Sequence, residues 1–325
     1  MTKTAIGNAV QPSHRRWSWL FTIFKIGLSA LALALVLFWV DLRAVWEHVL
    51  NQSPGYLIVA AALFSMQIVF GALRWHSILA RLGAKPAARE SIRLYYISAF
   101  FNSYLWGAIG GDMLRAWLTY RGEVSGKTAV NSVILDRIAA LAGVAILTIV
   151  TAPTYLSRVD NTLSLYVPIA LAIGGLAGIA VLAQLERLPE VWLRARFVRL
   201  LHSLGGSVRL VFLNPKAAAP TLAFAIAAQL ALGAATYAVA RSLDIDVTAL
   251  DCIVLMQPVA LLANLPISIG GWGVRETAMI FLFGFVGVPA SAALILSVQL
   301  GLLSLLIVLP GGILWLLLKP KDRVS

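Results

Sequence analysis

The chain has 325 residues, of which 60% are hydrophobic and 12% charged, with a formal net charge of +12 and a mean hydropathy of +0.87. A soluble domain carries about a quarter charged residues, so a soluble catalytic domain is excluded and the fold class is an all-α, polytopic membrane bundle. The positive excess is spread between apolar runs as topology signals rather than gathered on one face, so nucleic acid is not an expected partner.

His14, Arg15 and Arg16 precede the first apolar run, residues 19–40. This arrangement imitates a signal peptide, but the run exceeds the usual h-region of about 7–15 residues and is read as an uncleaved first span. Five further spans are predicted at residues 56–78, 128–150, 165–185, 217–239 and 290–318, each long enough for the roughly 20 residues that cross a bilayer. Two stretches remain, 91–120 and 251–287, each interrupted by Asn, Gly and charge.

Charge bias decides how these two stretches are disposed. If both are re-entrant, the cytoplasmic side receives Arg15 and Arg16, then Arg81, Lys85, Arg89 and Arg93, the segment 186–216 with its arginines, and the tail with Lys319, Lys321 and Arg323. The outside keeps Arg43, Arg158 and Arg241 beside several acids. Full crossing of both would put the basic segment 186–216 outside, against the positive-inside tendency. The expected topology is therefore six spans plus two re-entrant broken helices, with both termini cytoplasmic in a bacterial inner membrane. The chain forms one transmembrane domain, 1–325. The segment 186–216 mixes Trp192, Phe197 and Leu200 with Arg194, Arg196 and Arg199, which suits an amphipathic helix on an anionic leaflet.

Each leftover stretch carries the same core. Gly110-Gly111-Asp112-Met113-Leu114-Arg115 is matched by Gly270-Gly271-Trp272-Gly273-Val274-Arg275, followed by Glu276. Asn102 stands eight residues before the first Gly pair and Asn264 six before the second. Glycine pairs interrupt helices, and a break at membrane depth is tolerated where it lines a polar cavity. Under the topology above the two units, 56–150 and 217–318, are inverted repeats, a recurrent design of carriers.

In or near the membrane lie Asp112, Asp136 and Glu276 against Arg115, Arg137 and Arg275. Each facing lipid alone would cost roughly 2.5–3.5 kcal/mol, so they must pair or meet water. Asp136 and Arg137 are about 100° apart on a helix and are expected to bond different neighbours, with a network running between the repeats. The candidate substrate-binding set is Asn102, Gly110, Gly111, Asp112, Arg115, Asp136, Arg137, Asn264, Ser268, Gly270, Gly271, Arg275 and Glu276. A helix start following a Gly pair offers backbone N–H groups to an anion, phosphate above all. The competing reading is structural: buried ion pairs that pin helices, and glycines that permit close packing.

Other chemistry finds little footing. Residues 107–112 form neither a Walker A nor a dinucleotide motif. The four histidines are scattered, Cys252 stands alone as a packed apolar residue near a helix start, and no metal or other cofactor is expected. Ser268 has Pro266 where a nucleophile elbow needs Gly. No catalytic residue is assigned.

Arg74-Trp75, Asn102, Gly110-Gly111-Asp112 with Arg115, the stretch 132–137, and the run from Leu265 to Glu276 resemble the bacterial lysylphosphatidylglycerol synthase transmembrane-region family, also described as flippase-like. The likeness covers most of the chain. It implies an inner-membrane helical bundle that moves a polar-headed lipid between leaflets or accompanies an enzyme acting on such lipids. Asp136 stands where the family commonly has Glu before Arg. The soluble aminoacyl-transferase domain of full synthases is not in this sequence, so lysine transfer is not carried over.

The reading is thus a lipid flippase or carrier, transporter-like rather than enzymatic, whose partners are anionic or phosphate-bearing membrane lipids. Two alternatives stay open: a membrane-embedded transferase acting on a lipid-linked substrate, and a non-transporting scaffold that accompanies an envelope-lipid synthesis enzyme.

Overall fold

A computed structural model describes residues 52–84, 86–104, 110–121, 124–156, 166–187, 196–263 and 273–318. These residues form ten α-helices: α1 (Pro54–Arg81), α2 (Ala88–Tyr104), α3 (Gly110–Tyr120), α4 (Gly126–Leu156), α5 (Tyr166–Gln184), α6 (Arg196–Phe212), α7 (Pro215–Ser242), α8 (Ala249–Ala263), α9 (Val274–Gly284) and α10 (Ala290–Leu316). Five of them, α1, α4, α5, α7 and α10, are long and apolar enough to cross a bilayer. They coincide with the five spans expected from residue 56 onward. The span expected at 19–40 lies outside the described residues.

The helix starts follow local chemistry. Pro54 opens α1 and Pro215 opens α7, where the missing N–H of proline has no intrahelical partner to lose. Asn214 caps α7 by accepting from Lys216 N at 3.1 Å. At the end of α1 the chain turns through Gly83, whose φ of +86° is open to glycine at little cost.

The longest helix pair packs α1 against α7 in antiparallel sense. Ser53 N donates to Ser242 O at 3.0 Å at one end. Ser77 Oγ meets Thr221 Oγ1 at 2.9 Å, and Arg81 Nη2 donates to Lys216 O at 2.8 Å, at the other. The buried face of α7 is built from Ala217, Thr221, Ala225, Ala228, Ala231, Ala235 and Ala238. Lipid tails are as apolar as leucine, so helices in a bilayer associate by close van der Waals approach, which small residues allow.

Between these long helices the chain makes a hairpin. α2 stops at Tyr104, α3 begins at the expected Gly pair, and the two run antiparallel, with Asn102 against Gly111, Ser98 against Asp112, and Leu94 and Leu118 in one apolar cluster. Glycine at 111 is a steric requirement, because a Cβ there would collide with the Ser98 carbonyl oxygen and lie 2.8 Å from the Asn102 backbone nitrogen. The second leftover stretch divides likewise into α8 and α9. Asn264, Ser268, Gly270 and Gly271 fall between them, outside the described residues. Gly273 ends that interval with φ +84°, immediately before α9.

Helix lengths run 28, 17, 11 and 31 residues from α1 to α4, and 28, 15, 11 and 27 from α7 to α10. Packing partners match the same correspondence: α2 lies on α10, and its counterpart α8 lies on α4. Cys252, near the start of α8, is buried as expected.

α6 falls within the segment 186–216 and is partly covered by its neighbours, while Leu210 and Leu213 stay exposed. Leu204, Val208 and Val211 are buried against Ile78, Leu135, Ala139 and Ala183. Composition could not distinguish a lipid-facing stripe from one covered by neighbouring helices.

Gly111→Val is therefore expected to cost at least the ~1–3 kcal/mol of core overpacking. Gly175→Ala, where an added Cβ meets nothing within 4 Å, should be neutral or slightly stabilising. Thermal unfolding of the purified variants in detergent measures both, and equal midpoints for the two would contradict the hairpin packing.

Candidate functional site

Three helices deliver charge to one place, and a fourth adds polar groups. α1 carries Arg74, α3 carries Asp112 and Arg115, and α4 carries Asp136 and Arg137, while α2 adds Tyr95, Ser98 and Asn102. The ion pairs form an alternating chain. Arg74 Nε donates to Asp136 Oδ1 at 2.8 Å, and Arg115 Nη1 to Asp136 Oδ2 at 2.9 Å. Arg115 Nη2 then reaches Asp112 Oδ1 at 3.1 Å, and Arg137 Nε reaches Asp112 Oδ2 at 2.6 Å.

Burial falls along this chain. The side chains of Arg115 and Asp136 are each 2% exposed and that of Asp112 13%, whereas Arg137 is 45% exposed. The deep end is rigid. The Arg115 guanidinium lies 4.8 Å from the ring centres of both Trp75 and Tyr95, and Trp75 is itself held by Nε1 donating to Ser132 Oγ at 3.2 Å. Asp112 accepts further from Ser98 Oγ at 3.3 Å and Asn102 Nδ2 at 3.4 Å. Three arginines against two aspartates leave one positive charge in excess.

The sequence-expected residues are partly brought together. Asn102, Gly111, Asp112, Arg115, Asp136 and Arg137 converge, with Gly110 at the start of α3 beside them. Asp136 and Arg137 bond different neighbours, as helix geometry requires. At each helix start one backbone donor is already taken. The Gly111 N–H is taken by Asn102 Oδ1 at 2.9 Å, and Asp112 sits in the first turn of α3. On α9 the Gly273 N–H donates instead to Glu276 of the helix it opens. Each helix start thus carries its own carboxylate.

Arg275 and Glu276 form a second set. Arg275 Nη2 meets the fully buried Glu276 at 2.7 Å, and Ser297 of α10 donates to Glu276 at 3.1 Å. Arg275 Nε also donates to Ser297 Oγ at 3.0 Å, the counterpart of Arg115 reaching Asp136 across α3 and α4. Each of these acids is met by an arginine of its own unit.

Arg74, Tyr95 and Trp75 complete the site without having been assigned to it. The signal for Arg74 was present: a guanidinium inside the apolar run 56–78 needs a buried acid. Tyr95 and Trp75 gave no such signal, since aromatic residues in a membrane helix are ordinarily packing.

The cluster borders two spaces. One is a polar cavity of about 200 Å³, lined by the charged chain with Tyr95, Ser98 and Asn102, and by Gln67 of α1 and Gln229 of α7. The other is an apolar groove of about 640 Å³ between α3 and α4, lined by Met113, Ala116, Trp117, Tyr120, Val130 and Ile134. Asp112 and Arg137 line both. Among the described residues no group of three His, Cys, Asp or Glu is placed to hold a metal ion.

Long apolar helices around a buried chain of ion pairs define a multi-pass membrane protein with an internal polar site. The chain belongs to the lysylphosphatidylglycerol synthase TM region family, whose model matches residues 22–312. It is also similar to a UPF0104 membrane protein of Methanothermobacter thermautotrophicus (strain Delta H), 33% identical over 97 residues. That match covers 29% of this chain and 28% of the relative.

Removing Asp136 strands two buried guanidinium groups, so Asp136→Ala should lose about 3–5 kcal/mol. Arg137→Ala removes a half-exposed partner and should lose no more than about 1 kcal/mol. Melting curves of the two variants in one detergent check the contrast, which a cluster made of incidental surface pairs would not produce.

Proposed function

We propose that the protein carries a phosphate-bearing lipid between the leaflets of a bacterial inner membrane, with both termini cytoplasmic. The observation that carries this reading is the junction of a polar cavity and an apolar groove at Asp112 and Arg137. A lipid has the same two-part chemistry. Its head requires charge and hydrogen bonds, its tails require an apolar wall, and the two must be accepted side by side.

Arg137 is the residue that engages the phosphate. Arg115 already serves two carboxylates and is stacked between two rings, so it cannot turn toward a ligand without breaking the core. Arg137 is half-exposed and reaches Asp112 by Nε. An arriving phosphate takes over part of that bonding through a planar guanidinium suited to it, and Asp112 recovers Arg137 when the lipid leaves. The single cation in excess offsets the charge of one phosphate.

Movement between leaflets needs access from both sides. Corresponding helices α1 and α7 run antiparallel, the helix lengths repeat, and α2 on α10 mirrors α8 on α4. We read these as inverted units whose broken helices are re-entrant from opposite faces. The cavity is walled by both units, since Gln229 and Ala228 come from α7. Rocking one unit against the other would open that wall to each side in turn.

The test is leaflet exchange of a fluorescent phospholipid in reconstituted vesicles. The wild-type protein should raise exchange well above empty vesicles, and Arg137→Ala should lower it by about tenfold or more, the scale of a lost charge-assisted hydrogen bond. Equal rates for wild type, Arg137→Ala and empty vesicles would end the transport reading.

A further inference from the structure

Charge at membrane depth does not sum to zero in this protein. Among the described residues there, the charged side chains are Arg74, Arg115 and Arg137 against Asp112 and Asp136, and the pair of Arg275 with Glu276, which is neutral in sum. α5 and α10 carry no charged residue, and those of α7, Lys216 and Arg241, stand at its ends. The sequences that join the broken helices, 105–109 and 264–272, contain no charged residue either. His76, which meets Ser91 Oγ at 3.1 Å, is counted neutral like the other histidines. One positive charge is left over. Its depth follows from helix rise. Asp112 stands eight residues before Tyr120, the end of α3, and Arg137 eleven residues after Gly126, the start of α4. At ~1.5 Å per residue these are ~12 Å and ~16 Å, about half of the ~30 Å hydrocarbon layer. Arg121 and Lys127 stand at those two helix ends, where the chain meets water.

A site with alternating access takes the electrical potential of whichever side it opens to. A charge fixed in that site therefore crosses the membrane field each time access changes, although it moves little itself. Empty, this site carries one positive charge; holding a singly anionic phosphate, it carries none. The count survives the exchange of partners. When Arg137 turns to the phosphate, Asp112 keeps Arg115 at 3.1 Å, Ser98 at 3.3 Å and Asn102 at 3.4 Å, so no carboxylate loses its last cation.

We propose that the membrane potential drives this carrier, and that it acts on the return of the empty site and not on the loaded step. This rests on the lipid-carrier reading above and adds its source of energy. With the cytoplasm negative, the positive empty site is drawn to face the cytoplasm, a bias of about fiftyfold for a full charge at 100 mV (about 2.3 kcal/mol). There it accepts a phosphate, becomes neutral, and opens outward without opposition from the field. The result is net outward movement of an anionic lipid. A zwitterionic lipid leaves the positive charge in place on both steps and gains no such drive.

The experiment places the full chain in phosphatidylcholine vesicles whose potential is set by a potassium gradient and valinomycin. Tail-labelled phosphatidylglycerol is the singly anionic probe and tail-labelled phosphatidylethanolamine the zwitterionic one. In the net mode the labelled anionic lipid starts in the outer leaflet alone; in the exchange mode unlabelled phosphatidylglycerol fills both leaflets, so the site travels loaded in both directions. Net entry of the anionic probe should be about tenfold faster with the lumen positive than with it negative, whichever way the protein is inserted, while exchange differs by less than about twofold. Gln229→Glu adds a carboxylate to the cavity wall and cancels the excess, making the empty site neutral and the loaded site negative. In that variant, with folding checked by its melting point, exchange should slow about fourfold under either sign of potential. Net entry indifferent to potential beside measurable exchange would overturn the proposal and leave transport standing. So would wild-type exchange as sensitive as net entry, phosphatidylethanolamine driven as strongly as phosphatidylglycerol, or a folded Gln229→Glu whose exchange ignores the potential. No movement of either probe at zero potential would reject the carrier reading, and this proposal with it.

Discussion

The bilayer will not solvate a lone charge, and the carboxylate of Asp136 is where this constraint acts most strongly on the fold. It is about 1% exposed and holds Arg74 of α1 and Arg115 of α3 at once, from its own place on α4. Three helices must therefore meet at one depth and one rotation. Sliding any of them by a single turn, about 5.4 Å, would leave a guanidinium or a carboxylate unpaired in a medium where nothing replaces its partner. Apolar helices in lipid lack a hydrophobic force to select register among themselves. The ion pairs supply that selection.

The same requirement explains the break in the chain. An uninterrupted helix from Ala88 onward would carry Asp112 roughly two turns and Arg115 roughly three turns past Tyr104, away from Asp136. Stopping at Tyr104 and restarting at Gly110 folds them back beside Ser98 and Asn102. Gly111 makes the return possible because it lets the two backbones approach with no side chain between them. Asn102 then accepts the N–H exposed by the restart, so a polar backbone group at membrane depth is satisfied inside the protein.

Much of this was legible in the sequence because the bilayer simplifies the grammar. Apolar length alone located α1, α4, α5, α7 and α10, and the Gly pair with its charge located the start of α3. What sequence could not give was pairing. Arg74 was hidden inside an otherwise ordinary span, and counting acids against arginines left it out. Asp112 and Glu276 each lie within one turn of an arginine on their own helix, a shorter reach than any partner across the bundle, and counting charges does not show which of these a carboxylate takes. Within the segment 186–216, only the packed structure shows Leu204 and Val208 covered by α1, α4 and α5.

The halves α1–α4 and α7–α10 repeat their sequence of helix lengths yet differ in chemistry. Where α4 offers Asp136 to Arg115, α10 offers the neutral Ser297 to Arg275, and the acid has moved to Glu276, beside its own arginine. In the first unit the ion pairs stretch outward from a buried carboxylate to a half-exposed arginine at the edge of an apolar groove. In the second, the fully buried Glu276 gathers Arg275, Ser297 and the start of α9 around itself. A graded chain can exchange its outermost partner while its inner pairs stay fixed. On the proposed lipid reading, the first unit meets the ligand and the second braces the far wall of the cavity.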